Sequence, residues 1–292
     1  MAKRNDSKTA VAILIAIVVG ALISWAGSDA GDRFGALPVF ALCGALAFAV
    51  NWVAFIPAAL ARTERYYDLV GGITYITVTL AAVLLSGPLD LRATLVAAMV
   101  MAWSLRLATF LFLRISKSGS DSRFDEIKQQ PLQFFMAWTL QGLWVLLTAA
   151  AALAVITGGT RVPLGIAGSI GIAVWVAGIL IEIVADRQKS RFKDDPDNEG
   201  KFIDVGLWAW SRHPNYFGEI VLWTGVAIVA MPVLQGWQWA TLISPVFVAF
   251  LLIKVSGIPM LEEKADQRWG GNADYEDYKR RTPVLTPKPP AR

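Results

Sequence analysis

Residues 220–253 read IVLWTGVAIVAMPVLQGWQWATLISPVFVAFLLI and contain no charged side chain. One helix of this length would extend about 50 Å at about 1.5 Å per residue, whereas the hydrocarbon core of a bilayer is about 30 Å thick. The segment therefore has to reverse its direction. Pro232 and Gly236 supply the turn, and Trp237 and Trp239 suit the membrane interface at which it would lie. The run predicts two membrane-crossing helices joined by a short turn.

Six other apolar runs have the length of a membrane span, which is about 20 residues. They occupy residues 10–26, 37–61, 69–89, 93–113, 131–160 and 162–181, and Arg106 interrupts the fourth. Hydrophobic residues make up 55% of the chain and charged residues 17%, whereas an ordinary soluble domain carries about 25% charge. We therefore expect an all-α, polytopic membrane bundle of about eight transmembrane helices.

The distribution of basic residues predicts the orientation of this bundle. Of the 27 lysines and arginines, 23 fall on the side that holds both termini, three on the other side, and Arg106 inside a span. Because Lys and Arg accumulate in cytoplasmic loops, both termini are predicted to be cytoplasmic. Within one integral membrane domain, residues 1–61 would form two N-terminal spans, residues 62–260 the core and residues 261–292 a cytoplasmic tail.

Composition also excludes several classes of site. A net charge of only +4 is explained by the basic membrane loops, so no nucleic-acid partner is expected. The single cysteine, Cys43, has no partner for a disulfide, and a single histidine, His213, cannot build a multi-histidine centre. No metal site is predicted.

Five ionisable residues lie near the predicted cytoplasmic ends of the spans: Asp68, Arg106, Glu182, Asp186 and Glu219. An ionisable group in hydrocarbon costs about 3 kcal/mol or more unless it faces a partner or a wet cavity. We therefore expect these side chains to converge in a polar chamber that opens to the cytoplasm. Outward snorkelling to the interface is the alternative for any one of them.

The sixth span continues into a polar helix with a graded stripe. Glu182, Asp186, Ser190 and Lys193 lie at helical offsets 0, 4, 8 and 11, so they share one face, with the carboxylates deepest. This order suits a nucleotide, because carboxylates accept hydrogen bonds from sugar hydroxyls or a carboxamide and cations bind phosphates. A charge ladder on an exit helix is the other interpretation.

Residues 211–219, SRHPNYFGE, form the densest polar motif of the chain. The His-Pro step predicts a helix that begins at Pro214, and the opening turns of a helix attract anions. Gly218 allows a ligand or a neighbouring helix to approach closely. The motif contributes further candidates for ligand binding: Arg212, His213, Asn215, Tyr216 and Glu219.

Two more polar segments complete the cytoplasmic side. The tail contains Tyr275 and Tyr278 in the basic stretch YEDYKRR, and it would either cap the chamber or lie untethered at the interface. Lys201 follows an acidic turn, and the small residues around Arg123 in the loop 117–124 would let this arginine reach a phosphate. All four are candidate ligand-binding residues.

The chain from about residue 68 onward resembles the steroid 5α-reductase-like membrane proteins, in particular their bacterial DUF1295 branch. The resemblance rests mainly on Asn215, Tyr216, Gly218 and Glu219. It implies a helical reductase of the bacterial inner membrane that holds NADPH in a cytoplasm-facing cavity. By this resemblance the cofactor would be lined by Asp186, Lys193, Lys201, Asn215, Tyr216 and Glu219, with Arg106 near its phosphates.

The substrate side departs from the steroid enzymes. Tyr67-Asp68 stands where a Gln-Glu pair would be, and Trp103 stands where a tyrosine is expected. Trp103 can donate one hydrogen bond but cannot pass on a proton, so Tyr66, Tyr67 or Tyr75 would have to be the acid, or the substrate is not a 3-oxo-4-ene steroid. The candidate catalytic residues are Asp68, Tyr67, Tyr75 and Trp103.

The leading hypothesis is an NADPH-dependent enzyme that transfers hydride to an activated C=C of a lipophilic, steroid-like or isoprenoid-like substrate. This substrate would enter from the bilayer, membrane lipids would be the other partners, and the protein would act as a monomer. The motif 212–216 also resembles the isoprenylcysteine and phospholipid methyltransferases, as does Glu262-Glu263 ahead of a glycine and the Tyr-x-x-Tyr stretch, so S-adenosylmethionine is the alternative cofactor. A transporter would show inverted repeats and broken helices, which the sequence lacks.

Overall fold

The computed structural model describes residues 2–118 and 124–290, and of residues 2–5 and 110–118 it describes the backbone. The regular structure of these ranges is almost entirely helical, with one two-stranded hairpin (β1, Arg33–Phe34; β2, Leu37–Pro38). The helices are α1 Ala2–Gly27, α2 Val39–Ala61, α3 Tyr67–Leu85, α4 Leu91–Ser118, α5 Pro131–Thr157, α6 Gly165–Asp194, α7 Pro214–Ala230, α8 Ile243–Phe250, α9 Ile258–Trp269 and α10 Ala273–Arg281.

Eight helical segments in the described part of the chain are long and apolar enough to cross a membrane. They are Asp6–Gly27, Val39–Ala61, Tyr67–Leu85, Leu91–Thr109, Pro131–Thr157, Gly165–Asp194, Pro214–Val233 and Gly236–Trp269. This confirms the predicted all-α bundle and its number of spans. The cytoplasmic placement of both termini stays a prediction.

The chain divides into two compact units. Unit 1 comprises Met1–Gly168 and Val229–Ser244, and unit 2 comprises Ser169–Ile228 and Pro245–Arg292. The centre of unit 1 is α5, which packs against α1, α2, α3 and α4. Its second half is almost entirely buried because alanines fill it, and their small side chains let the neighbouring helices approach.

The turn predicted within residues 220–253 is present as two short 3₁₀ helices, Met231–Val233 and Gly236–Leu242. Gly236 has a φ of 48°, a conformation that suits glycine. The carboxylate of Asp29 accepts a hydrogen bond from the Trp237 amide at 2.8 Å. Trp237 and Trp239 are exposed, as expected of side chains at a membrane interface.

A buried arginine, which the sequence did not distinguish from an ordinary loop cation, joins three segments of unit 1. Arg92 does not lie in a loop. It is the second residue of α4, and only 2% of it is exposed. Its guanidinium donates to the carbonyl oxygens of Val229 at 2.6 Å, Pro163 at 2.7 Å and Leu164 at 2.8 Å. The planar group thereby donates to three backbone carbonyl oxygens at once, and that of Val229 is buried.

Replacing Arg92 by lysine is expected to destabilise the protein by about 1.5 kcal/mol. The lysine ammonium keeps the charge but is a single compact donor group that cannot reach all three carbonyl oxygens, so at least one of these acceptors loses its donor. Thermal unfolding in detergent measures the loss. Arg33→Lys, at an exposed arginine of the hairpin, is the matched control and should unfold like the wild type. Equal stability of the Arg92 and Arg33 variants would contradict the expectation.

Four glycines bring α6 and α7 into close contact in unit 2. A Cβ atom at Gly218 would lie 2.7 Å from the Gly178 carbonyl oxygen and 2.8 Å from the Glu182 nitrogen. One at Gly225 would lie 2.6 Å from the Gly171 carbonyl oxygen. Glycines seven residues apart on both helices therefore form one backbone-to-backbone interface, a common arrangement in membrane proteins. The sequence predicts that Gly218 allows close approach of either a ligand or a neighbouring helix. In the structure the neighbouring helix α6 makes this approach.

Candidate functional site

Unit 2 contains a cavity of about 330 Å³. Its walls come from the end of α6, the segment 201–213, α9 and α10. Its lining residues are Lys189, Phe192, Lys193, Lys201, Phe202, Ile203, Trp208, Arg212, His213, Leu261, Glu262, Lys264, Ala265, Arg268, Trp269, Tyr275 and Tyr278. Six of these side chains are lysine or arginine and one is a carboxylate, so the cavity has a positive potential that attracts anions.

The segment that follows α6 is held by side chains and a backbone carbonyl of that helix. The carbonyl oxygen of the Gln188 amide accepts a hydrogen bond from the Leu207 nitrogen at 2.9 Å. The indole nitrogen of Trp208 donates to the Ala185 carbonyl oxygen at 3.0 Å. The Lys189 ammonium lies 4.5 Å from the centre of the Trp208 ring, a cation–π contact. These bonds fix one wall of the cavity before any ligand binds.

Glu262 is the carboxylate of the cavity, and two neighbouring basic groups bind it. One oxygen lies 2.6 Å from an Arg212 Nη atom, and the other lies 2.7 Å from Nε2 of His213. His213 is buried, with 4% of its surface exposed. Burial lowers the pKa of His213 below its ordinary value, and the Glu262 carboxylate opposes this shift. The ring is therefore neutral at pH 7, with Nε2–H donated to Glu262.

Aromatic rings form the opposite wall. Phe202 lies 6.1 Å from Trp269, 5.2 Å from Tyr275 and 5.4 Å from Tyr278, measured between ring centres. The Tyr278 hydroxyl donates to the Trp208 carbonyl oxygen at 2.8 Å. Burial raises the pKa of Tyr275 to about 12, so this phenol is protonated at neutral pH. The cavity therefore combines flat apolar faces with cations, which is what a nucleotide requires.

The last residues of the described chain are tethered to the cavity wall. The Arg212 nitrogen donates to the Pro283 carbonyl oxygen at 2.9 Å, and the Lys288 nitrogen donates to the Trp210 carbonyl oxygen at 2.9 Å. The Ser211 hydroxyl donates to the Leu285 carbonyl oxygen at 2.8 Å. The tail is therefore not untethered, because residues 283–288 are bound to the segment 210–212.

Six of the predicted ligand-binding residues line this one cavity: Lys193, Lys201, Arg212, His213, Tyr275 and Tyr278. Five others lie in unit 2 without lining it. Glu182, Asp186 and Glu219 are buried on α6 and α7, and the Tyr216 ring stacks on His213 with ring centres 5.7 Å apart. Asn215 lies in the first turn of α7, which begins at Pro214 as predicted.

The candidate catalytic residues belong to unit 1, as does Arg106. The Tyr67 hydroxyl donates to the Ala137 carbonyl oxygen at 2.9 Å, a bond that would have to break before this group could transfer a proton. Tyr75 and Trp103 are buried and pack edge to face, with ring centres 5.0 Å apart. Asp68 lies in the first turn of α3. Arg123 lies outside the described residues.

Sequence reasoning missed several cavity residues on α9, including Arg268 and Trp269. Leu261, Glu262, Ala265, Arg268 and Trp269 all line the cavity, and they follow the spacing of one helix face. The helical period is visible in the sequence, although the polar composition of the segment favours an irregular tail. Glu262 is the one residue of this face that the sequence analysis identifies, through the resemblance to methyltransferases.

The fold and the site define a helical integral membrane protein with a cationic, aromatic cavity in unit 2. The model of the family described as "Protein of unknown function (DUF1295)" matches residues 54–282, and the chain belongs to this family. No solved structure matches the chain.

Curated relatives match shorter parts of the chain. The chain is 28% identical over 117 residues to 3-oxo-5-alpha-steroid 4-dehydrogenase 1 of Rattus norvegicus, and 29% identical over 119 residues to steroid 5-alpha-reductase DET2 of Arabidopsis thaliana. Each match covers 40% of this chain and 40% of the relative. The chain is also 30% identical over 66 residues, 23% of each chain, to the probable O-methyltransferase ustE of Ustilaginoidea virens.

Proposed function

We propose that this protein is an NADPH-dependent reductase that acts on an activated C=C of a lipophilic, steroid-like or isoprenoid-like substrate. The observation that carries the proposal is the cavity of unit 2, in which six cations and several aromatic rings surround one carboxylate. Its volume falls at the lower end of the range for ligand sites, about 300–1,000 Å³. The similarity to steroid 5-alpha-reductase DET2 supports the same class of reaction.

The residues of the cavity fit the cofactor. Lys193, Lys201 and Arg268 would bind phosphates, because they are the outer cations of a site that carries an excess of positive charge. Trp269 and Phe202 offer apolar faces to a base. When bound, NADPH supplies the hydride, and the protein supplies orientation, exclusion of water and a proton.

The proton donor belongs to the substrate side. Tyr75 is the donor that we propose, because the Tyr67 hydroxyl is bonded to Ala137 and the Trp103 indole cannot transfer a proton. Asp68 keeps a carboxylate on the substrate side. Trp103, packed against Tyr75, would orient that ring. Arg106 and Arg123 would assist in binding phosphates.

The proposal includes a location and a set of partners. The protein would lie in a bacterial inner membrane with its active site facing the cytoplasm, where NADPH is available. The lipophilic substrate would enter sideways from the bilayer, and the protein would act as a monomer. The excess of Lys and Arg on one side of the predicted topology supports this orientation.

A methyltransferase that uses S-adenosylmethionine is the second candidate, because the chain is similar to the probable O-methyltransferase ustE over 66 residues. The two functions differ in what the cations would do. S-adenosylmethionine carries no phosphate, so the excess of lysine and arginine in the cavity favours the reductase.

Calorimetry on the purified protein in detergent is expected to show saturable binding of NADPH and much weaker binding of S-adenosylmethionine. The phosphates of NADPH each gain charge-assisted hydrogen bonds in the cationic cavity, and these are stronger than neutral ones. Adding inorganic pyrophosphate should compete with NADPH and leave any S-adenosylmethionine binding unchanged. Saturation by S-adenosylmethionine alone would overturn the reductase in favour of the methyltransferase.

A further inference from the structure

Two buried nitrogens of the cavity residues have no described hydrogen-bond partner, Nε of Arg212, which can only donate, and Nδ1 of His213. Nδ1 of His213 is buried and has no hydrogen-bond partner among the described residues. The other ring nitrogen, Nε2, lies 2.7 Å from the Glu262 carboxylate. A buried nitrogen without a partner costs free energy, so such an atom commonly marks a place where a ligand or water binds.

The surroundings of the ring fix its hydrogen atoms. A carboxylate accepts hydrogen bonds and cannot donate them, so Glu262 requires the hydrogen on Nε2. The neutral ring then carries a lone pair on Nδ1, which makes this atom an acceptor. Tyr216 stacks on the ring with an angle of 9° between the two planes, and this contact restricts its rotation.

The charges around the ring hold Glu262 in place as well. Arg212 binds the second carboxylate oxygen at 2.6 Å, so both oxygens have a partner from the motif 211–219. Glu262 lies on α9, a different element from the histidine and the arginine. Lys189 of α6 is the other charged group that acts on the ring, and like Arg212 it disfavours the imidazolium.

From this geometry we propose that His213 accepts, through Nδ1, a hydrogen bond from an N–H or O–H group of the bound nucleotide, and that Glu262 is the positioning residue that sets the required tautomer. The inference rests on the proposed function and adds to it a contact that recognises a neutral donor. The cations of the cavity would bind phosphates, and the histidine would bind the carboxamide or a ribose hydroxyl.

The sign of the pH dependence separates this role from phosphate binding. Protonation of the ring turns Nδ1 into a donor, so acid removes the acceptor and weakens binding. A histidine that served as a cation for phosphate would instead bind more tightly in acid. Because the folded pKa of His213 lies below the ordinary value of 6.5, its acceptor is present at pH 7 and is lost only as the pH falls through this lowered pKa.

The test is the dissociation constant of NADPH, measured by calorimetry in detergent between pH 5 and 8, for the wild type and four variants. His213→Ala removes the acceptor and should weaken binding about tenfold at pH 7.5. His213→Asn places an amide oxygen at the position of Nδ1, so it should retain most of the affinity. In both proteins, titration of the NADPH phosphate changes the affinity with pH. The further loss of affinity in acid that the wild type shows should be absent in His213→Asn.

Glu262 has a matched control in its neighbour. Glu262→Gln keeps an acceptor for Nε2–H and removes the charge that favours the imidazolium, so the acid loss of binding should move to lower pH by about one unit. Glu263→Gln removes the same charge from an exposed carboxylate outside the cavity and should leave the profile unchanged. Identical profiles for the two glutamine variants would contradict the positioning role.

The outcomes separate this inference from the proposed function. Wild-type protein that binds no NADPH would overturn both. Two results would overturn only the acceptor role. One is that His213→Ala binds NADPH as tightly as the wild type, and the other is that wild-type binding tightens in acid relative to His213→Asn. Comparing the wild type with His213→Ala for NADP⁺ and for its 3-acetylpyridine analogue identifies the donor. If the carboxamide is the donor, the tenfold loss of affinity disappears with the analogue, which lacks the amide N–H. If a ribose hydroxyl is the donor, the tenfold loss persists.

Discussion

Replacing Lys193 and Lys201 together by alanine is expected to raise the dissociation constant of NADPH about thirtyfold. Both ammonium groups line the cavity and both residues are exposed, so each phosphate contact is screened by water and contributes about 1 kcal/mol. Titration of the double variant in detergent at low ionic strength measures the change. The effect should shrink at high salt, because screening weakens the same contacts in the wild type.

Lys254→Ala combined with Lys288→Ala is the matched control. It removes the same charge from two exposed lysines that lie outside the cavity. NADPH affinity within a factor of two of the wild type is expected, since these residues would contribute only a long-range potential. An equal loss in both double variants would show that net charge, and not the cavity, determines the affinity.

Gly218→Leu is expected to cost about 4 kcal/mol of stability or to abolish folding. The new side chain would begin within 2.8 Å of backbone atoms of α6, which cannot move aside without separating the two helices. Overpacking commonly costs about 1–3 kcal/mol. We expect a larger loss of stability here because the new side chain would clash with two backbone atoms, the Gly178 oxygen and the Glu182 nitrogen. Thermal unfolding in detergent, followed by the loss of monodisperse protein, measures the effect.

Ala177→Leu tests whether the effect of Gly218→Leu comes from the interface. Ala177 lies on α6 beside Gly178, but its side chain is exposed, so a leucine there should change stability by less than about 0.5 kcal/mol. Comparable destabilisation by the two substitutions would contradict close packing of α6 and α7 through their glycines.

The spans could be predicted because hydrophobic length is a local property of the sequence. Residues 220–253 have to turn within a membrane for reasons of length alone, and the turn lies at Pro232 and Gly236 as expected. The polar continuation of the sixth span could be predicted as well, because Glu182, Asp186, Ser190 and Lys193 follow the spacing of one helix face, and α6 does extend to Asp194.

The cavity could be predicted only in part. The helical stripe that ends at Lys193 and the motif 211–219 predict ligand-binding residues, and Lys193 and His213 do line one cavity. The partner of His213 lies 49 residues away on α9, and nothing in the local pattern couples the two. Gly218 shows the opposite difficulty, since a glycine permits close approach without indicating whether a ligand or a helix uses it.

The docked tail has a consequence for the way variants of this protein should be judged. Shortening the chain after residue 282 would leave all eight apolar helices intact, so the product could still insert and accumulate in membranes. The shortened protein would nevertheless lack the backbone carbonyl groups beside the cavity that accept hydrogen bonds from Arg212 and Ser211. Abundance in the membrane fraction is therefore a poor substitute for a ligand-binding measurement, and an affinity tag is better placed at the opposite end.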